Sequence, residues 1–204
     1  MTRVSSGRRL RVQQEPSPAD FVRATRPVRL AFIGGRGHLE TVIEAVREAR
    51  VSVWIATANL KEMQVAVARL GRTSRFGSML EIFDQLAERG VELRILHAEH
   101  PSRPFRAALE RHPRLYEGAL QFRLCPRIHL KCVIIDGRIL YLGSANWTGA
   151  GLGAKSDRNR NFELGFVTED EAMLDDVQGL YEHLWNGGDC QRCGRRALCE
   201  SPLG

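Results

Sequence analysis

Long hydrophobic runs are missing from this chain of 204 residues. No apolar stretch approaches the ~18 residues that a membrane span requires, which excludes an integral membrane protein. The start, MTRVSSGRRLRVQQ, is rich in arginine but has no apolar stretch behind it, so no secretory signal is expected. Aromatic residues make up only 7%, which argues against base stacking along an extended groove. Lysine is scarce as well. Lys61, Lys131 and Lys155 are three among 30 basic residues, the rest being arginine. Genome composition can impose such a bias, but it raises for each lysine the question of why it is not an arginine. Five cysteines are present, and the expected compartment is the cytoplasm, where they would be thiols or metal ligands rather than disulfides.

What is there reads as one soluble α/β domain. Hydrophobic residues at 43% and charged residues at 26% are globular values. The net charge of +6 favours polyanionic partners, nucleic acid or an anionic membrane face, although a generic basic protein would carry it too. Residues 1–26 hold Arg3, Arg8, Arg9, Arg11, Arg23 and Arg26 against Glu15 and Asp20, with two prolines and little to bury. They are expected to form a basic disordered arm, or one that contacts nucleic acid. Residues 27–186 alternate strand and helix patterns, and residues 187–204 form a Cys-rich tail.

Within the domain, Val28–Ile33 reads as a buried strand closed by glycines, and Leu39–Ala49 has helical spacing. The Gly34-Gly35-Arg36-Gly37 turn lacks the spacing of a phosphate loop. Further strands are expected at 51–58, 91–96, 120–124, 128–135, 138–142 and 162–167. Helices are expected at 60–70, 79–89, 105–111 and 169–185, with a polar loop at 71–78. Asp136-Gly137 favours a tight hairpin turn. The sum is a mixed β-sheet flanked by helices.

The informative segment is RIHLKCVIIDGRILYLGSANWTG, residues 127–149. On an extended strand alternate residues share a face, so His129 and Lys131 project side by side. Their Cβ atoms lie about 7 Å apart, a spacing that brackets one phosphate. Imidazole is a nucleophile or general acid near neutral pH, and an ammonium is a compact partner for a phosphate oxygen. Gly143 permits close backbone approach, while Ser144 and Asn146 can donate to an oxyanion or cap a following helix. Asn161 and Glu163 share a strand face, and a carboxylate there can orient an imidazole. Asp136 should leave the strand opposite His129, which favours a structural role in the turn over direct catalysis. Arg103, Arg106, Arg111, Arg114, Arg123 and Arg127 crowd the stretch before the motif. Arg123, Arg127 and Asn161 are candidates for substrate binding, although a solvated basic face would look the same.

His129-x-Lys131-x4-Asp136, then x6-Gly143-Ser144-x-Asn146, resembles the signature of the phospholipase D superfamily, and Asn161-x-Glu163 resembles a feature of its compact members. The resemblance implies a phosphodiesterase that works through a covalent phosphohistidine and needs no metal for catalysis. It also implies two His-Lys pairs around one phosphate. This chain has one: none of His38, His97, His100, His112 and His183 has lysine two positions on. A site shared by two identical subunits is therefore implied, with His129, Lys131, Ser144, Asn146 and Glu163 from each and Asp136 completing the motif. Nucleic acid is the expected substrate and the protein a probable-class nuclease; a phospholipase or phosphatidyl transferase and a catalytically silent nucleic-acid-binding module are the alternatives.

In the tail, Cys190-x2-Cys193-x5-Cys199 suits tetrahedral zinc if a fourth ligand is found. His183 is one such ligand; Cys125, Cys132 and His100 are others. A free thiol tail and redox or iron–sulfur chemistry are the competing expectations.

Overall fold

The computed structural model describes residues 19–70 and 73–203. Its strands are β1 (Ala31–Gly34), β2 (Ser52–Thr57), β3 (Gln64–Leu70), β4 (Thr73–Ser78), β5 (Glu92–His97), β6 (Leu120–Leu124), β7 (Cys132–Ile135), β8 (Ile139–Gly143) and β9 (Leu164–Thr168). Its helices are α1 (Glu44–Arg47), α2 (Met79–Glu88), α3 (Arg103–Leu109) and α4 (Glu171–Trp185). Seven strands form one mixed sheet in the order β1-β9-β8-β7-β2-β5-β6. β2, β5 and β6 run parallel, and the remaining pairs are antiparallel.

The sheet is covered on both sides. Val53, Ile55, Leu93, Ile95, Val133, Ile135 and Tyr141 face α1 and α2, where Val46, Leu80, Phe83 and Leu86 complete the larger core. Trp54, Ala56, Leu96, Cys132, Ile134 and Leu140 face α4, against Leu174, Tyr181 and Trp185. β7 is buried along its whole length, as its continuous apolar sequence requires. Burial of this kind stabilises by about 25 cal/mol per Å² of apolar surface removed from water, and it sets the register. Hydroxyl and carboxylate caps start the helices: Ser78 Oγ accepts from Leu80 N, Ser102 Oγ from Phe105 N, and Asp170 Oδ1 from Met173 N.

Two expectations are corrected. Residues 60–70 are not helical: Gln64–Leu70 is a strand that pairs antiparallel with Thr73–Ser78, part of the stretch expected to be a polar loop. Val65 and Val67 are buried while Gln64 is exposed, so the period of two in this stretch decides the outcome. The strand expected from Ile128 begins only at Cys132, so His129 and Lys131 sit on the approach to it. The Asp136-Gly137 turn is a tight hairpin, with positive φ at both residues (54° and 59°).

Most of the basic arm lies outside the described residues. Residues 19–26 carry no helix or strand, and they are tied to α4 by Arg23–Asp176 and Arg26–Asp170 ion pairs. Arg26 holds the Asp170 carboxyl at about 2, below its usual range.

Candidate active site

One end of the sheet collects the motif. β7 starts there, β2 and β8 end there, and β9 starts there, because Ala56 pairs with Cys132, Cys132 with Leu142, and Gly143 with Gly165. His129, Lys131, Ser144, Asn146 and Glu163 thus come together although 34 residues separate the first from the last.

His129 is exposed and Lys131 partly so. The Lys131 ammonium donates to His129 Nδ1 over 3.1 Å and to the His129 carbonyl oxygen over 2.8 Å. Partial burial lowers the pKa of Lys131, and the charge of Glu163 opposes that shift. The Ser144 hydroxyl donates to Glu163 Oε2, and Ser144 Oγ accepts from Leu164 N at 3.1 Å. Asn161 Nδ2 donates to Glu163 Oε1 at 3.0 Å. Glu163 therefore bridges Ser144 and Asn161 and acts on Lys131 through its charge.

Asn146 is fixed from its carbonyl side. Its Oδ1 accepts from Thr57 Oγ1 at 3.2 Å, Ala58 N at 3.1 Å and Asn59 N at 3.2 Å. With the oxygen so engaged, the amide's two N–H donors are the atoms left to meet a ligand. Thr57 Oγ1 also accepts from Trp147 N at 2.9 Å. Thr57 is a positioning residue that sequence reasoning missed, since a buried threonine ending a strand carries no signal of its own. Gly143 answers a steric need: a Cβ there would clash with the Tyr141 hydroxyl and lie 2.7 Å from the Leu164 carbonyl oxygen.

Asp136 sits at the other end of β7, about 16 Å along an extended chain from Lys131. Its carboxylate accepts from the backbone N–H groups of Arg50, Val51 and Ser52, at 2.7–3.0 Å. Arg127 is exposed two residues before His129. Arg123 instead lies over the Trp185 ring, 5.2 Å from its centre. Three large apolar side chains are exposed on the neighbouring edge, Phe32 on β1, Phe162, and Leu164 on β9.

A family model described as "Cardiolipin synthase, PLD-like domain" matches residues 42–185. The chain belongs to this phospholipase D-like family. Solved structures agree on the fold. NucT from Helicobacter pylori matches with a TM-score of 0.57 and 19% identity over 78% of this chain and 96% of that one. Nuc from Salmonella typhimurium, described as a phospholipase D family member, gives 0.57 and 17% over 78% and 95%. TrmBL2, described as an archaeal chromatin protein with a novel mode of DNA binding, gives 0.52 and 17% over 79% and 54%. No curated protein matches.

The tail candidates for a metal are spread around the same end of the molecule. All five cysteines are unbridged. Among the described residues, no three His, Cys, Asp or Glu side chains are already gathered as a metal cage. His183 Nε2 lies 3.3 Å from Asp189 Oδ1, and His100 Nε2 lies 3.0 Å from Glu200 Oε1. Cys132 is buried in the sheet, which pushes its thiol up to about 12. Cys125 is half-buried, which raises its pKa, and the thiols of Cys190, Cys193 and Cys199 are near enough to add to the effect.

Proposed function

We propose that the protein is a phosphodiesterase acting on nucleic acid, a nuclease, whose site is completed by a second copy of the chain. The observation that carries the proposal is the exposed His129–Lys131 pair, closed at 3.1 Å, in a sequence with no second His-x-Lys pair. One pair presents an imidazole and one charge to one side of a phosphate. A two-fold axis through the phosphate supplies the other side at no cost in sequence. The exposed Phe32, Phe162 and Leu164 beside Glu163 give such a dimer apolar surface to cover.

In this mechanism His129 of one protomer attacks phosphorus through Nε2. A P–N bond forms as the P–O bond to the leaving group breaks. His129 of the partner subunit gives its proton to the leaving oxygen, then takes a proton from water. The resulting hydroxide attacks phosphorus and releases the first imidazole, so the water oxygen ends on the phosphate. Lys131 and the Asn146 amide hold the non-bridging oxygens, and Ser144 assists. In the free protein the Lys131 ammonium occupies Nδ1 of His129. When it swings onto the phosphate, Nδ1 is released to carry the ring proton that Glu163 stabilises, and Nε2 becomes the nucleophile. Protons and charge are thus supplied by side chains, without a metal ion in the chemical step. Asn161 positions Glu163, and Arg127 meets the substrate backbone. Asp136 acts on the fold rather than on the substrate.

The net charge of +6 favours a polyanion, and TrmBL2, a fold neighbour described by its mode of DNA binding, supports nucleic acid in particular. The family model's name favours a second reading, a phosphatidyl transferase or phospholipase. Single-stranded DNA, duplex DNA, RNA and phosphatidylcholine or phosphatidylglycerol vesicles, each offered in EDTA, separate the two. Strand cleavage by wild type, abolished in His129→Ala, is expected. Lipid turnover without strand cleavage would establish the second reading. Salt-sensitive DNA binding with no turnover would establish a binding module.

A further inference from the structure

The C-terminal tail, residues 187–203, is folded without a core of its own. It contains no fully buried residue, and its regular structure is one three-residue turn at Arg196–Leu198. Segments this short hold one conformation only when something other than apolar burial fastens them.

Sulfur is what the tail has in quantity. Cys190-Gln-Arg-Cys193-Gly forms a tight knuckle: Cys193 N donates to Cys190 O at 3.3 Å, and Arg195 N donates to Cys193 Sγ at 3.4 Å. An amide aimed at a cysteine sulfur from two residues on stabilises a thiolate, the form that binds metal. The knuckle also docks on the chain that leads to His129. Arg195 donates to the Pro126 carbonyl at 2.9 Å. Cys125, Cys190 and Cys193 line a common cavity of about 410 Å³. Cys125 feels all three tail thiols, Cys199 included.

We propose that Cys125, Cys190, Cys193 and Cys199 bind one structural Zn²⁺, and that this ion clamps the tail onto the turn that delivers His129. The donor set is four sulfurs from a CxxC knuckle and two single cysteines, which suits a closed tetrahedral site. The other candidates for fourth ligand are engaged elsewhere: His183 with Asp189, His100 with Glu200, and Cys132 inside the sheet. Binding requires the four thiols to close to about 2.3 Å from the metal and to release protons. Cys125 N donates to His97 O at 2.8 Å, and Ile128 N to Cys125 O at 2.9 Å. A metal on the Cys125 sulfur therefore fixes both ends of the 125–128 turn, directly ahead of His129. The ion sets the position of the nucleophile and takes no part in the reaction.

The site is tested without reference to activity, so its failure is distinct from failure of the phosphodiesterase reading. Full-length protein is purified without a metal-binding tag, under reducing conditions, from zinc-supplemented medium, and its metal is measured. About one zinc per chain is expected in wild type and in His183→Ala. Less than half is expected in Cys125→Ala and in Cys190→Ala. Retention of zinc by Cys125→Ala, its loss from His183→Ala, or iron or less than half an equivalent of zinc in wild type would overturn the proposal. Because a cysteine variant can fail to fold, wild type is also loaded with Co²⁺. Thiolate-to-cobalt absorption of four-sulfur intensity is expected, and intensity for three or fewer sulfurs would contradict the assignment. A Cys190–Cys193 disulfide in the freshly reduced, metal-loaded protein would also contradict it.

Discussion

Lys131 holds its ammonium 3.1 Å from Nδ1 of His129 and 2.8 Å from the same residue's carbonyl oxygen. The pair is a closed unit before substrate arrives. An anionic phosphate is a stronger acceptor than either group, so binding opens the pair and arms the imidazole in one movement.

Lys131→Met removes the charge that meets the phosphate and should lower kcat/KM by on the order of 10²–10³-fold. It also removes an ammonium whose pKa is depressed by burial. A lysine with a lowered folded pKa weakens the fold at neutral pH, and that cost is relieved as pH rises from the depressed pKa toward the unfolded value. Thermal melts should therefore show Lys131→Met no less stable than wild type at neutral pH, with the advantage shrinking in alkaline buffer. A variant that is inactive and also strongly destabilised would contradict this.

Asp136→Ala should act on stability. Three backbone N–H groups, those of Arg50, Val51 and Ser52, lose their acceptor. The expected cost is about 1–3 kcal/mol, read by denaturant titration, with kcat of the folded fraction near wild type. A fall in kcat comparable to that of His129→Ala, at unchanged stability, would place Asp136 in the chemistry.

Much of this site was legible in the sequence because its parts are local. His129, Lys131 and the 143–146 turn lie within 18 residues, and Asp136-Gly137 announces the hairpin that folds them onto one sheet end. The larger architecture was legible wherever apolar runs were continuous, as in β2, β5 and β7. The hairpin at 64–78 was not, because an apolar run of that length fits helix or strand until its partner is known. Thr57 and Asn146 meet across 89 positions. No spacing rule reaches that far, and their contact depends on the β2–β7 register. The partnership of Cys125 with the tail is hidden for the same reason.

Thr57→Val tests that long-range support. It keeps the shape but removes the hydroxyl that meets the Asn146 carbonyl and Trp147 N–H. A loss of up to about 10²-fold in kcat is expected, since a shift of one ångström in a positioned group can cost as much. Thr57→Ser should recover most of it. Equal losses in both variants would show that packing of the methyl, and not the hydrogen bonds, is what Asn146 needs.

The shared site is tested most directly by mixing subunits. Wild type and His129→Ala are unfolded together in equal amounts, refolded so that chains assort at random, and assayed for strand cleavage per chain. If one phosphate needs His129 from both protomers, only wild-type homodimers are active, and activity should fall to about one quarter of the all-wild-type value. Activity of about one half would mean that each chain works alone, and it would contradict the account.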